Sequence, residues 1–368
     1  MKYLFINSVA GFGSTGRIAA QTCRELMTQG HECVLAFGRI KANCEDIPTV
    51  QIGNGLDYRL HGVRSRLLDD HGFGSKRATM RFLKWVKQYD PDVIWLHNLH
   101  GYYLNLEVLF EYLHCCGKEI RWTLHDCWSF TGHCAYFDFV GCDQWRTGCH
   151  HCPQKGSYPR SLLRDNSAHN FVRKKELFTN IPNLTLIVPS YWLEKRVKES
   201  FLRDYPVEVV YNQVDRNIFH PTPGNFREEY GLEHKKILLG VASVWDARKG
   251  LADFLALSRL LEPEYQIVLI GLNPKQRQHL PSNVLGLPRT DSLEKLVQAY
   301  TAADLFLNPS TEETFGMTTL EATCCGTMAV VYQDTACEEI VSQFGGIAVP
   351  RGAEQLHHAV VRLTKGEE

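Results

Sequence analysis

No stretch of this chain holds about 18 consecutive apolar residues, so nothing in it reads as a membrane-spanning helix. Charge of one sign is equally scarce. Forty Lys and Arg stand against 41 Asp and Glu, a formal net charge of -1, and that balance points away from a nucleic-acid partner. Internal repeats of the kind that build solenoids are absent, as are low-complexity tracts. The opening Met1-Lys-Tyr-Leu-Phe-Ile-Asn7 runs directly into a strand pattern with no signal-peptide cleavage site, so a cytoplasmic protein is expected. The dinucleotide fingerprint is missing too, because Gly11, Gly13 and Gly16 have the wrong spacing for it.

What is present is an ordinary globular composition, 44% apolar over 368 residues, which is long enough for two domains. Short apolar runs alternate with helical patterns throughout. The runs at 2–7, 32–37, 90–97, 120–124, 184–188, 207–211, 236–241, 266–270, 304–308 and 328–332 read as strands, most of them buried and parallel, giving an α/β chain. A polar passage around Asp204-Tyr-Pro206 suggests a boundary, with domains at 1–205 and 206–368.

The most informative stretch is Pro309 to Gly326. A strand ends at Asn308, a loop follows, and a helix starts near Phe315-Gly316. Such loops at the C-terminal edge of an open α/β sheet, with a helix N-terminus behind them, bind anionic ligands. Glu313 and Glu321, seven residues between them, bracket the turn. Arg248 and Lys249 occupy another strand-to-helix loop, and two adjacent cations there suit a diphosphate; ordinary surface charge is the alternative. Near the N-terminus, Gly13-Ser14-Thr15-Gly16 lies between a strand and a helix, where backbone N–H groups can approach a phosphate or sugar, or where a simple tight turn suffices. His125, beside Asp126, sits at a strand end and reads equally as a functional or a structural histidine.

Two further segments carry composition signals. Residues 59–87 combine Arg59, Arg64, Arg66, Lys76, Arg77, Arg81, Lys84 and Lys87 with Leu60, Leu67, Leu68, Met80, Phe82 and Leu83. This is either a face that touches an anionic membrane surface or a solvated helix surface. Between 127 and 153 lies a cysteine-rich insertion with Cys134, Cys142, Cys149 and Cys152, four of the chain's thirteen cysteines. The irregular sequence there suggests a stretch that hydrophobic burial alone cannot hold, so a structural zinc site is expected, with His133, His150 or His151 as substitute ligands; a Cys149/Cys152 redox pair and plain thiols are the alternatives.

With these residues in view, the chain resembles the family 4 retaining glycosyltransferases from end to end, and most of all their bacterial capsular and exopolysaccharide, colanic-acid-type branch. The motifs are the Gly13–Gly16 loop, Trp122-Thr-Leu-His-Asp-Cys-Trp128, the Cys134 to Cys152 stretch, Arg248-Lys249-Gly250 and the Glu313 to Glu321 pair. The resemblance implies a GT-B architecture, two Rossmann-like domains facing a cleft, and transfer of a sugar from a UDP- or GDP-sugar to a hydroxyl of a glycan acceptor, expected to be lipid-linked. It implies that Glu321 holds the donor ribose and Glu313 the donor sugar. Arg248 and Lys249 would neutralise the diphosphate, helped by the backbone of Phe315, Gly316, Met317 and Thr318. His125 would stand near the reacting carbon, and the Gly13–Gly16 loop would line the acceptor side. No catalytic metal is expected, since cations from the chain can serve the leaving group. The chain departs from the family with Asn212-Gln213 where Asn-Gly is usual, and its last helical pattern, 353–363, leaves little length for a returning helix. A nucleotide-sugar epimerase and a non-catalytic sugar-nucleotide-binding scaffold remain as alternatives.

Overall fold

A computed structural model describes residues 1–290 and 292–365. The chain forms two compact units that meet in sequence between Tyr211 and Asn212. In the first, seven strands form one parallel sheet: β1 (Lys2–Asn7), β2 (Glu32–Phe37), β3 (Thr49–Gln51), β4 (Val93–Leu96), β5 (Glu119–Thr123), β6 (Leu184–Val188) and β7 (Val207–Val209). Their order is β3-β2-β1-β4-β5-β6-β7. Helices cover both faces, so the central strands are apolar nearly from end to end, as in β1, where every residue after Lys2 is buried.

The second unit repeats the design with six strands: β8 (Lys236–Val241), β9 (Tyr265–Ile270), β10 (Val284–Leu287), β11 (Leu305–Asn308), β12 (Ala329–Tyr332) and β13 (Gly346–Val349). They are ordered β10-β9-β8-β11-β12-β13. Both orders are the doubly wound arrangement in which strand order reverses about the first strand. Ligands bind at that reversal, beyond the strands' C-terminal ends. The reversal falls between β1 and β4 in one unit and between β8 and β11 in the other.

The expected boundary at 205/206 shifts. Strand β7 was placed in the second domain, but it hydrogen-bonds in register with β6, Leu186 opposite Val207, and so closes the first sheet. A strand-like run identifies itself by composition but carries no mark of its partner.

The cysteine-rich stretch also differs from expectation. It has little regular structure, only short 3₁₀ turns, yet it owns a core: Phe130, Phe137 and Trp145 are buried, and the last two stack at 4.6 Å. Arg196 pairs with Asp138 at 2.5 Å, and the buried Lys174 donates to the carbonyls of Trp128 and Thr131 at 2.7 and 3.0 Å. Aromatic burial and these ties hold the segment. The last helix, Ala353–Lys365, lays Leu356, Ala359 and Val360 into the core of the second unit, and Thr364 bonds Tyr265 at 2.7 Å.

Candidate active site

In the second unit the β8 loop and the β11 loop are tied together. Asp246 caps the short turn Ala247–Lys249 by accepting from the Arg248 amide at 3.1 Å. Gly250 closes that turn at φ +72, pressed so closely on Pro309 that a Cβ there would lie 2.3 Å from its carbonyl oxygen. The Thr311 amide donates to the Arg248 carbonyl at 2.9 Å. Beneath the β11 loop, Asn308 accepts from Ser310 Oγ at 2.6 Å and donates to Thr319 Oγ1 at 2.9 Å. The loop is thus preorganised before any ligand arrives.

This scaffold brings Arg248, Lys249 and Glu313 into one ion-paired set. Lys249 Nζ bonds Glu313 Oε1, and Arg248 Nη1 lies 3.6 Å from Glu313 Oε2 while donating to the Glu312 carbonyl at 2.7 Å. Glu313 is buried, and burial alone would raise its pKa. The charges of Lys249 and Arg248, with the hydrogen bond from Lys249, outweigh it and hold the carboxyl below its ordinary value. Arg248 Nη2 also lies 3.8 Å from Asp246 Oδ2, so the two cations are met by two carboxylates.

Gly316 then starts the helix Met317–Cys324 from a left-handed φ of +94, with a Cβ position only 2.4 Å from Cys337 Sγ, so glycine is required there. The turn aims the helix start at the same loop. The amides of Thr319 and Leu320 turn back to the Gly316 carbonyl, whereas those of Met317 and Thr318 have no partner among the described residues. Unpaired amides at the positive end of a helix dipole favour an anion. Glu321, one turn on, is buried and accepts from Tyr300 Oη at 2.9 Å. Tyr300 escaped the sequence reading, since a tyrosine in an apolar helical row looks like core.

In the first unit, the Gly13–Gly16 loop proves to be the first turn of the helix Gly13–Thr28, beyond the end of β1. His125 follows β5, and its Nε2 lies 2.9 Å from Nδ1 of His97, the residue after β4. Burial lowers His125 to about 4, against a smaller opposing pull from Asp126, so it is a neutral imidazole near pH 7. Asp126 itself bonds His100 Nε2 at 2.9 Å, and His100 bonds the Tyr158 hydroxyl at 3.0 Å. Both His97 and His100 were missed, although His97-Asn-Leu-His100 directly after a strand was a readable signal.

The zinc expectation is corrected. Cys134, Cys142, Cys149 and Cys152 are unbridged thiols, and among the described residues no group of three or more His, Cys, Asp or Glu is placed to hold a metal ion. Cys134 instead shares a hydrogen bond with Cys152, and Cys149 Sγ accepts from the Gly132 amide at 3.2 Å. His133 is drawn away to Asp69 at 2.5 Å, and His150 to the Gly148 carbonyl at 3.2 Å.

The basic segment forms two helices, Gly55–Leu68 and Lys76–Tyr89. Leu60, Leu67, Leu68 and Met80 are exposed, but Phe82 and Leu83 turn inward and belong to the core. No helix among the described residues is long and apolar enough to cross a membrane.

Residues 224–368 match the family described as "Glycosyl transferases group 1". A stretch of 119 residues, 31% of this chain, is 36% identical to the Escherichia coli (strain K12) protein described as "Putative colanic acid biosynthesis glycosyl transferase WcaC". The chain spans 28% of that relative and about half of the next ones it matches. Among solved structures, sucrose-phosphate synthase from Thermosynechococcus elongatus superposes with a TM-score of 0.72 at 17% identity, covering 99% of this chain and 90% of the other. Anabaena Alr3699/HepE in complex with UDP and glucose does so with a TM-score of 0.65 at 15% identity, covering 100% and 90%. The fold is that of the GT-B glycosyltransferases, with two Rossmann-like domains of parallel sheet.

Proposed function

We propose that this chain is a retaining glycosyltransferase that moves a hexosyl group from a UDP- or GDP-sugar to a hydroxyl of a glycan acceptor, lipid-linked, in the synthesis of a bacterial surface polysaccharide. The observation that carries the reading is the ion-paired set of Arg248, Lys249 and Glu313 beside the open amides of Met317 and Thr318, at the strand reversal of the second sheet. The match of 224–368 to group 1 glycosyl transferases and the UDP bound by a neighbour of the same fold support it.

In this reading the donor diphosphate lies against Arg248, Lys249 and the two amides. Glu321, oriented by Tyr300, takes the ribose hydroxyls, and Glu313 takes hydroxyls of the sugar. As the bond from the anomeric carbon to the diphosphate oxygen breaks, negative charge grows on that oxygen. Fixed cations and amides stabilise it more than they stabilise the intact donor, and that difference accelerates the reaction. The departing phosphate takes the proton from the acceptor hydroxyl as its oxygen bonds the same face of the sugar. Neutral His125 supplies a hydrogen bond near the reacting carbon, and the turn Gly13–Gly16 serves the acceptor.

Membrane attachment through residues 59–87 is part of the proposal, supported by exposed Leu60, Leu67, Leu68 and Met80 interleaved with arginine and lysine. Co-sedimentation with phosphatidylglycerol vesicles, weakened by salt, is the expected result; binding that ignores both lipid charge and salt would remove this part.

The deciding experiment measures nucleoside diphosphate release from a panel of UDP- and GDP-sugars, with and without lipid-linked glycan extract. Acceptor-dependent release from one donor, lost in Lys249→Ala, is expected. Conversion of donor to an epimer without acceptor, or intact donor under every condition, would refute transfer.

A further inference from the structure

The first unit has a second concave site that the reaction above does not use. A cavity of about 420 Å³ is lined by Arg66, Arg160, Tyr102, Tyr158, Ser157 and Leu162. No acid lines it. Neither Arg66 nor Arg160 has a carboxylate partner among the described residues, whereas Arg64 and Arg173 nearby share Asp70. Behind the two phenols stands Arg39, half-buried and stacked over Tyr58 at 5.5 Å, with its Nε buried and without a hydrogen-bond partner. The wall therefore gathers two guanidinium groups with phenol and serine hydroxyls in a concave space, and no carboxylate is among the lining residues. Forked donors of this kind fit phosphoryl oxygens.

The rim has a different character. Helix Gly55–Leu68 buries only His61 and Ser65, while Leu56, Leu60, Val63 and Leu67 share an exposed face at spacings of three and four. The segment after Arg160 is strapped to the end of that helix, with the Leu162 amide bonded to the Arg66 carbonyl at 2.7 Å and the Arg164 amide to the Leu67 carbonyl at 3.3 Å. That strap presents Leu162 and Leu163, 51% and 69% exposed, beside Arg66. An apolar ridge thus begins where the cationic pocket ends.

We infer that the pocket between Arg66 and Arg160 is a phosphoryl-anion site, and that the Leu162–Leu163 ridge beside it takes the hydrocarbon of a lipid-linked phosphate or diphosphate. This deepens the proposed function by naming the acceptor's phosphate as the group recognised, but its test requires neither donor nor transfer. The anion would bridge the two guanidinium groups, with Ser157 and Tyr102 donating to its remaining oxygens.

Titration calorimetry with farnesyl diphosphate, inorganic pyrophosphate and farnesol tests it on the whole chain. Farnesyl diphosphate should bind more tightly than the other two and lose at least 10-fold in Arg66→Ala/Arg160→Ala. Part of that loss should return in Arg66→Lys/Arg160→Lys, and Leu163→Glu should weaken farnesyl diphosphate while sparing pyrophosphate. Lys249→Ala, in the donor loop, should leave the farnesyl diphosphate affinity as it was. Melting curves establish that each variant folds; if the double variant melts early, the single variants carry the comparison. Pyrophosphate binding as tightly as farnesyl diphosphate, with the same arginine dependence, would assign the pocket to a water-soluble phosphate and overturn the lipid half. Anion binding that is absent, or indifferent to both arginines, would overturn the site itself.

Discussion

The phenol of Tyr300, on helix Leu293–Ala302, donates a 2.9 Å hydrogen bond to Oε2 of Glu321, and both side chains are buried. The bond fixes one carboxylate oxygen and leaves the carboxylate oriented from a different helix than its own. Hydrogen bonds to a charged group contribute about 1.5–3 kcal/mol. With Glu321 on the donor's ribose, Tyr300→Phe is expected to raise the KM for the nucleotide sugar about 10-fold and leave kcat within about 2-fold, because ribose contacts change little between ground and transition states. Steady-state kinetics at saturating acceptor would check this. An unchanged KM would separate Glu321 from the donor.

Lys249 should behave in the opposite way. Its ammonium is paired to Glu313 in the free protein, and in the proposed reaction it faces charge that grows only as the diphosphate leaves. Lys249→Ala is expected to lower kcat by about 100-fold or more. Glu313 keeps Arg248 as its partner at 3.6 Å, so the melting temperature should change little. Single-turnover measurements distinguish a slowed chemical step from weakened binding, and loss confined to binding would remove the leaving-group role.

Much of this architecture was legible in the residues, and the reason is physical. Central strands of a doubly wound sheet are covered on both faces, so β1, β2, β6 and β8 appear as continuous apolar runs with the expected bounds. Edge strands carry weaker signals: β3 is three residues long and none of it is buried, β10 has a glycine inside it, and β13 opens on one. All three were missed. The cysteine cluster misled because spacing suggested a metal staple, while the force that holds the segment is the burial of Phe130, Phe137 and Trp145, visible only once they stack. Similarly, the alternation of leucine and arginine over 59–87 did not separate Leu60 and Leu67, which face outward, from Phe82 and Leu83, which do not. At the candidate site, the strand-end loops could be located from the sequence, but Tyr300, His97 and His100 depend on contacts between distant elements.

Gly250 offers a test of the loop rather than of its charges. It has φ +72, and any Cβ would meet the Pro309 carbonyl oxygen at 2.3 Å, a backbone atom that cannot swing aside. Gly250→Ala therefore must part the β8 and β11 loops or strain the turn, at an expected cost of about 2–4 kcal/mol. Because Arg248 and Lys249 ride on that turn, activity should fall by more than the loss of folded protein explains. Urea unfolding alongside specific activity of the folded fraction would show it; a variant with both properties intact would mean that the two loops are not coupled.

The first unit should lose stability in mild acid through its buried histidines, and His61 gives the clearest case. Its Nε2 accepts from the Gly72 and Gly74 amides at 3.3 and 3.2 Å, and its Nδ1 lies 2.9 Å from Ser75 Oγ. An imidazole that accepts two amides on one nitrogen has no room for a proton there. Burial, against a smaller opposing pull from Asp70 and with help from Arg64, lowers it to about 4. In the unfolded chain the same group titrates near 6.5. Between those values the unfolded state binds a proton that the folded state refuses, so stability is full above about pH 6.5 and declines as the pH falls toward 4. For one fully buried histidine the loss is of order 2–3 kcal/mol at the acid end. His71 adds to it in the same direction, since burial holds it well below its ordinary range and its Nε2 accepts from the Gly101 amide at 3.0 Å. Urea midpoints measured from pH 8 to pH 4.5 should hold level down to about pH 6.5 and then drop. In His61→Gln, less stable overall, that drop should be shallower. A wild-type midpoint that stays level to pH 4.5 would mean that these imidazoles gain protons in the folded state without losing their amide partners.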